Sequence, residues 1–367
     1  MNNELLYHIA LTMVPNIGPV QAKMLVNRLG SARAVFTAPL ETLQKIENIG
    51  QTKAAAIRSF RNFESVEKEM AFIQRYGIQP ILYTDKAYPQ RLLNCYDSPL
   101  LLYYKGTADL NNPKVVAIVG TRINTAYGRF ATEKLITDLA RLDVLVISGL
   151  AHGIDAIAHR SALKNRLPTV GVLAHGLDQV YPEDHAELAH EMIACGGGLL
   201  TEFRSRTDPD RYQFPSRNRL VAGMSDATIV IETGVKGGSM ITAELANGYN
   251  RDVFALPGKI TDPASAGCNH LISSNKACLI SSAANLLETM NWGAGSGPAR
   301  KTQREIFIEL TPHEQILIDL LRGREDVHID EINLKSGLSN SSVAAAILNM
   351  ELQNVIFAKP GKRYALI

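Results

Sequence analysis

"VVAIVGTRINTAYGRF", residues 115–130, is the stretch whose reading decides the fold of this chain. Five apolar residues end in Gly120 and a helix-compatible stretch follows, which is the pattern of a buried strand, a tight turn and a helix. In the G-x-G-x-x-G fingerprint of dinucleotide-binding folds, the second glycine lets a pyrophosphate touch the backbone. Here Arg122 holds that place, so the turn offers a cation where a cofactor would need open backbone.

The same alternation continues on both sides. Strand-like runs occupy 78–83, 99–106, 115–120, 143–149, 168–176, 198–203, 227–234 and 252–258, and helical patterns lie near 127–141, 153–164, 183–194, 216–224 and 239–250. Strands rich in Val and Ile on both faces, separated by helices, predict a mostly parallel sheet covered on both sides. The expected core is an extended Rossmann-like, doubly wound α/β domain over 71–290.

A chain of 367 residues exceeds the roughly 250–300 residues at which one core stops growing, so further domains are expected. At the front, "VPNIGPVQAKML" (14–25) and "IENIGQTKAAAI" (46–57) repeat one unit, with Asn16, Ile17 and Gly18 over Asn48, Ile49 and Gly50. Each places Asn and Gly in a tight turn ahead of an amphipathic helix. The repeat resembles helix-hairpin-helix units and predicts a helical, SAM-like domain over 1–70; phosphate contact and simple helix packing both remain open readings of it. Residues 291–305 read as a linker. Over 306–367, three helical patterns (311–322, 328–337 and 339–354) and a ribbon (355–367) follow the order of a winged helix. No Lys or Arg lies between Ser339 and Gln353, which argues against duplex reading by the third helix. Lys359, Lys362 and Arg363 of the ribbon are candidate phosphate contacts, with protein contact the other reading.

Hydrophobic residues make up 46% and charged residues 20% of the chain, and no apolar run approaches the ~18 residues of a membrane span. The first residues lack a basic leader and cleavage site, and Cys95, Cys195, Cys268 and Cys278 show neither zinc nor disulfide spacing. A cytoplasmic protein without membrane contact is expected. With 38 Lys+Arg against 36 Asp+Glu, any polyanionic partner has to be held by local clusters.

In open α/β sheets ligands collect beyond the carboxyl ends of the strands. The segment after the fourth main strand, "RSRTDPDRYQFPSRNR" (204–219), holds five arginines against two acids, with Tyr212 and Phe214 between them. Guanidinium groups for phosphates and ring faces for bases are what an unpaired nucleic acid needs; Phe214 reads equally as a core residue. "GVKGGS" (234–239) adds Lys236, Gly237, Gly238 and Ser239 as an anion seat without the spacing of a triphosphate loop. His152, Asp155 and His159 match a three-ligand spacing on paper. Asp155 suits the first helical turn, so local hydrogen bonding is the reading adopted and no metal or cofactor is assigned. No G-x-S-x-G elbow is present.

Together "VAIVGTR" (116–122), "VISGLAHGIDAIAH" (146–159), "VGVLAHGLDQVYP" (170–182), "FPSRNRLVAGMSD" (214–226), "IVIETGVKGGSMITAELA" (229–246) and "VFALPGKITDPASAGCNHLI" (253–272) resemble the DNA-processing protein A (DprA, or Smf) family. The resemblance implies a non-enzymatic protein that binds and shields single-stranded DNA during natural transformation, helps load the RecA recombinase and forms a homodimer. It implies a DNA-binding pocket of Gly120, Thr121, Arg122, Phe214, Arg217, Asn218, Arg219, Lys236, Gly237, Gly238 and Ser239. Family members often carry serine at the position of Thr121, which preserves the hydroxyl. The rival is a nucleotide phosphoribohydrolase of the lysine decarboxylase-like type, whose P-G-G-x-G-T-x-x-E pattern is matched only by Gly237, Gly238 and Glu244, with Met240 and Ile241 replacing its central Gly-Thr.

Overall fold

The structure is a computed structural model that describes residues 3–292, 310–353 and 355–367. From residue 293 onward, the expected linker lies outside the described residues. Two compact units divide the chain, Met1–Ala277 and Cys278–Ile367.

The first unit begins with six helices: α1 (Asn3–Thr12), α2 (Pro19–Leu29), α3 (Ala32–Thr37), α4 (Leu40–Gln44), α5 (Gly50–Ser59) and α6 (Phe63–Tyr76). Asn16 and Asn48, the matched residues of the repeat, both take left-handed backbone, at φ 63° and 62°. Asparagine tolerates that region because its short side chain can bond locally. Gly18 does not need it; its φ is −86°, whereas Gly50 sits at 57°. The helices close on Leu25, Val35, Leu43 and Ile57, and their core continues into Leu100, Leu101 and Tyr103 beside the sheet.

Eight strands of this unit follow: β1 (Gln79–Leu82), β2 (Leu101–Gly106), β3 (Val115–Val119), β4 (Leu145–Ser148), β5 (Thr169–Val172), β6 (Gly198–Thr201), β7 (Ala227–Val230) and β8 (Asp252–Ala255). They lie in the order β1-β2-β6-β5-β4-β3-β7-β8. The six from β6 to β8 are parallel, while β1 and β2 extend the sheet antiparallel beyond β6. Every residue of β3 to β7 is buried, as expected for strands covered on both faces. The covering helices are α7 (Gln90–Leu93), α8 (Ala126–Leu139), α9 (Ile154–Lys164), α10 (Ala186–Ala194), α11 (Gln213–Met224), α12 (Gly238–Gly248) and α13 (Ala266–Ser273).

The second unit contains β9 (Cys278–Leu279), α14 (Ala283–Thr289), α15 (Pro312–Leu321), β10 (Val327–His328), α16 (Ile329–Ser336), α17 (Asn340–Leu352), β11 (Ile356–Lys359) and β12 (Arg363–Leu366). Thr311 and Glu314 form a reciprocal capping box at the start of α15, with Pro312 at its first position. Three helices and the sheet β10-β12-β11 make a winged helix. Its third helix buries Val343, Ile347 and Met350 and exposes Leu348 and Leu352. Lys359 and Arg363 of the ribbon both turn onto Asp326, so these two cations are already paired.

A basic groove at the strand tips

From β3 the chain winds outward through β4, β5 and β6, then returns to place β7 on the other side of β3. At such a reversal the loops after the two central strands diverge and leave a crevice. A groove of about 940 Å³ opens there, lined by Thr121 and Arg122 after β3, Gly149 and Asp155 after β4, Tyr181 after β5, the start of α11, and Gly237, Gly238 and Ser239 at the start of α12.

The loop after β3 is held from below by Glu232, which is fully buried. Its backbone oxygen accepts from Thr121 N at 2.7 Å, and its carboxylate accepts from Thr125 N at 3.0 Å and from the Thr125 hydroxyl. Thr125 in turn caps α8. This fixes the turn and leaves the Arg122 side chain exposed, with its guanidinium 5.2 Å from the centre of the Phe214 ring. That ring lies half-buried, 6.1 Å from the ring of Tyr181. Phe214 is therefore a wall of the groove rather than a core residue.

Arg217 forms the floor. Its side chain is buried and donates to the carbonyl oxygens of Gly149 and Val172, at the tips of β4 and β5, while Nε donates to Asn218 Oδ1 at 3.1 Å. Burial draws its pKa down to about 10, with the attraction of Asp155 opposing and the repulsion of Arg122 assisting; it remains a cation at neutral pH. Asp155 is pushed the other way, upward, by burial, against the pull of Arg217. Gly149 is required here, because a Cβ would lie 2.5 Å from the Arg217 guanidinium. At the opposite wall, Ser239 Oγ is buried and has no hydrogen-bond partner among the described residues. A hydroxyl left so at a helix start is placed to donate to an anion.

Not every predicted residue converges on this groove. Arg219 turns away from it: its guanidinium pairs with Glu202 and donates to Asp97 O at 2.6 Å, and Asp97 accepts from Tyr249 OH at 2.7 Å. It is a buried structural cation, separated from Arg217 by two residues and so by about 200° around the helix. Lys236 is exposed beside the groove and does not line it, and Gly237 is demanded by Thr233, whose hydroxyl a Cβ would strike. Gly120 does line the groove, and a Cβ there would strike Ile154. Glu244, the acid of the phosphoribohydrolase pattern, is exposed and lies 3.4 Å from Lys276, outside the groove lining. His159 is buried with Nδ1 2.7 Å from Thr169 Oγ1, and burial draws its pKa down to about 3. It stands apart from His152.

Arg211, one of the five arginines of 204–219, and Tyr181 are not in the expected pocket, although both follow strands and line the groove. Nor is Glu69 of α6, which anchors the basic loop by accepting from Ser205 N at 3.0 Å.

A doubly wound sheet that gathers two arginines, an aromatic wall and the Ser239 hydroxyl at its reversal point, with helix-hairpin-helix and winged-helix modules before and after it in the chain, defines a multidomain α/β protein whose groove suits an anionic ligand. Family models agree with that description: DNA recombination-mediator protein A matches residues 79–291, a helix-hairpin-helix motif residues 9–69, and a DprA winged helix domain residues 307–362. The chain is 36% identical to DNA processing protein DprA of Bacillus subtilis, over 65% of this chain and 81% of that protein. It is 31% identical to Protein Smf of Synechocystis, over 99% of both. Among solved structures it is similar to DNA processing protein A of Streptococcus pneumoniae, with a TM-score of 0.67 and 32% identity over 77% of this chain and 96% of that one. It is also similar to that of Helicobacter pylori, with a TM-score of 0.53 and 31% identity over 59% and 96%, in a structure concerned with the single-stranded DNA binding mode of that protein. The chain belongs to the DNA recombination-mediator protein A family.

Proposed function

We propose that this chain binds incoming single-stranded DNA in the groove, shields it and helps load the RecA recombinase during natural transformation, as a cytoplasmic homodimer without catalysis of its own. The observation that carries the reading is the placement of the exposed Arg122 guanidinium over the Phe214 ring, above the buried Arg217. Cations for phosphates next to a ring for a base are the two elements of sequence-tolerant strand binding. In this reading Arg122, Lys236 and the open amides of Gly238 and Ser239 meet phosphates, while Thr121 and Asn218 add hydrogen bonds. Arg217 supplies fixed charge from below, and Gly120 and Gly237 hold the loops; Arg219 acts only through the packing of α11. The binding mode described for the Helicobacter pylori relative supports the partner. No helix among the described residues is long and apolar enough to cross a membrane.

Fluorescence anisotropy with oligo-dT and with a duplex of equal length, at two salt concentrations, tests the proposal. Preferential binding of oligo-dT that weakens with salt is expected. Equal affinity for duplex, or no binding of oligo-dT at low salt, would reject it.

A further inference from the structure

The fold joins His152, in the loop after β4, to Asp184 and His185, just ahead of α10. One potential ligand atom from each lies within 4.8 Å of the others, and His152 Nδ1 is 3.7 Å from an oxygen of Asp184. The two imidazoles meet edge to face, with centres 4.9 Å apart. We propose that these three residues form a binding site for a single divalent transition-metal ion, best matched by Zn2+, at the rim of the groove.

Two features beyond proximity hold His185 in a fixed orientation toward the cluster. His185 is buried, and its Nδ1 lies 2.9 Å from the carbonyl oxygen of Leu150. Donation there fixes the tautomer and leaves Nε2 with its lone pair, the arrangement by which a backbone carbonyl orients a metal-bound histidine. Leu150, which supplies that carbonyl, is a fully buried leucine in left-handed backbone at φ 63°. Side chains with a Cβ rarely adopt this conformation unless the surroundings impose it.

The His152 side is also fixed. Gly153 takes φ 75°, and a Cβ there would strike the Thr121 carbonyl oxygen; Ile154 N donates to the same oxygen at 3.2 Å. His152 and Asp184 keep their side chains half to two-thirds exposed, at 52% and 66%, so an ion can reach them. Two imidazoles and one carboxylate suit a borderline cation such as Zn2+ better than Mg2+ or Ca2+, which prefer all-oxygen sites. Three protein ligands leave a tetrahedral ion at least one open position, for water or an anionic oxygen. His152 also lines a side pocket with Arg122, Arg217 and Phe214. The proposal does not rest on the nucleic-acid reading, because the ion is measured without a strand.

The full chain, stripped with EDTA and carrying Cys195→Ser and Cys278→Ser so that the exposed thiols cannot contribute, is titrated with Zn2+ by calorimetry and with Co2+ by visible absorption. One Zn2+ per chain is expected, together with Co2+ bands of nitrogen and oxygen ligation that Zn2+ erases. His152→Ala and Asp184→Asn, both at exposed positions, should each weaken Zn2+ binding about tenfold or more, while His190→Ala, an exposed histidine on α10, should leave it unchanged. Absence of saturable Zn2+ uptake, or uptake equal in all three variants, would overturn the assignment.

Discussion

Alanine at position 122 removes one exposed guanidinium from the groove and disturbs little else. Among the described residues Arg122 has no carboxylate partner; its guanidinium packs on the face of Phe214 at 5.2 Å, and that contact already exists before a strand arrives. The substitution therefore costs the free protein only the exposed cation–π term, roughly 0.5–1 kcal/mol. A lost charge-assisted bond to phosphate costs binding about 1.5 kcal/mol, roughly a tenfold rise in Kd. Each phosphate contact on an unpaired strand contributes about −0.7 to the slope of log K against log salt. The slope for Arg122→Ala should thus be shallower by about 0.7, so a tenfold gap at low salt closes to about twofold when salt is raised tenfold. Anisotropy with fluorescent oligo-dT across that range measures both quantities. Coincident salt lines for native protein and variant would refute the placement of phosphate at Arg122. Arg217→Ala is the poorer test, because it also strands the carbonyls of Gly149 and Val172 and the buried carboxylate of Asp155.

Arg219→Ala should behave in the opposite way. It leaves Glu202 and Asp97 without their cation, so urea unfolding should show a loss of roughly 3–5 kcal/mol, while the salt slope for oligo-dT stays at the native value under conditions where the variant is folded. The buried His159 resists protonation down to about pH 3, whereas the unfolded chain takes the proton at 6.5. Stability therefore falls as pH drops below 6.5, by about 2 kcal/mol at pH 5 from this group. In His159→Leu, where the Thr169 hydroxyl keeps its acceptor at Val146 O, denaturation curves at pH 7 and pH 5 should differ less by that amount. Glu244→Gln should leave oligo-dT binding unchanged, since Glu244 faces Lys276. Release of free base from nucleoside monophosphates by the native chain, abolished by this substitution, would instead favour the phosphoribohydrolase.

Much of the fold was legible because strand and helix announce themselves through the spacing of apolar residues. The run 115–119 could only be a strand buried on both faces, and the reversal point could be anticipated to gather whatever follows such strands. Arg122, Phe214 and Arg217, expected on that ground, all line the groove. Arg219 was misread as a groove residue for a reason also present in the chain: two positions along a helix point to opposite sides.

What residue order alone could determine was local: periodicity, turns that accept positive φ, and the order in which strands and loops succeed one another. Which cations stay free, and which are consumed by carboxylates, depended on partners distant in the chain, as with Arg219 and Asp97. The same holds for the meeting of His152 with Asp184 and His185, which are about thirty residues apart in the chain and share no spacing that sequence alone could read. These outcomes belong to tertiary structure because burial and charge pairing depend on separation in space, and only the assembled sheet sets those distances.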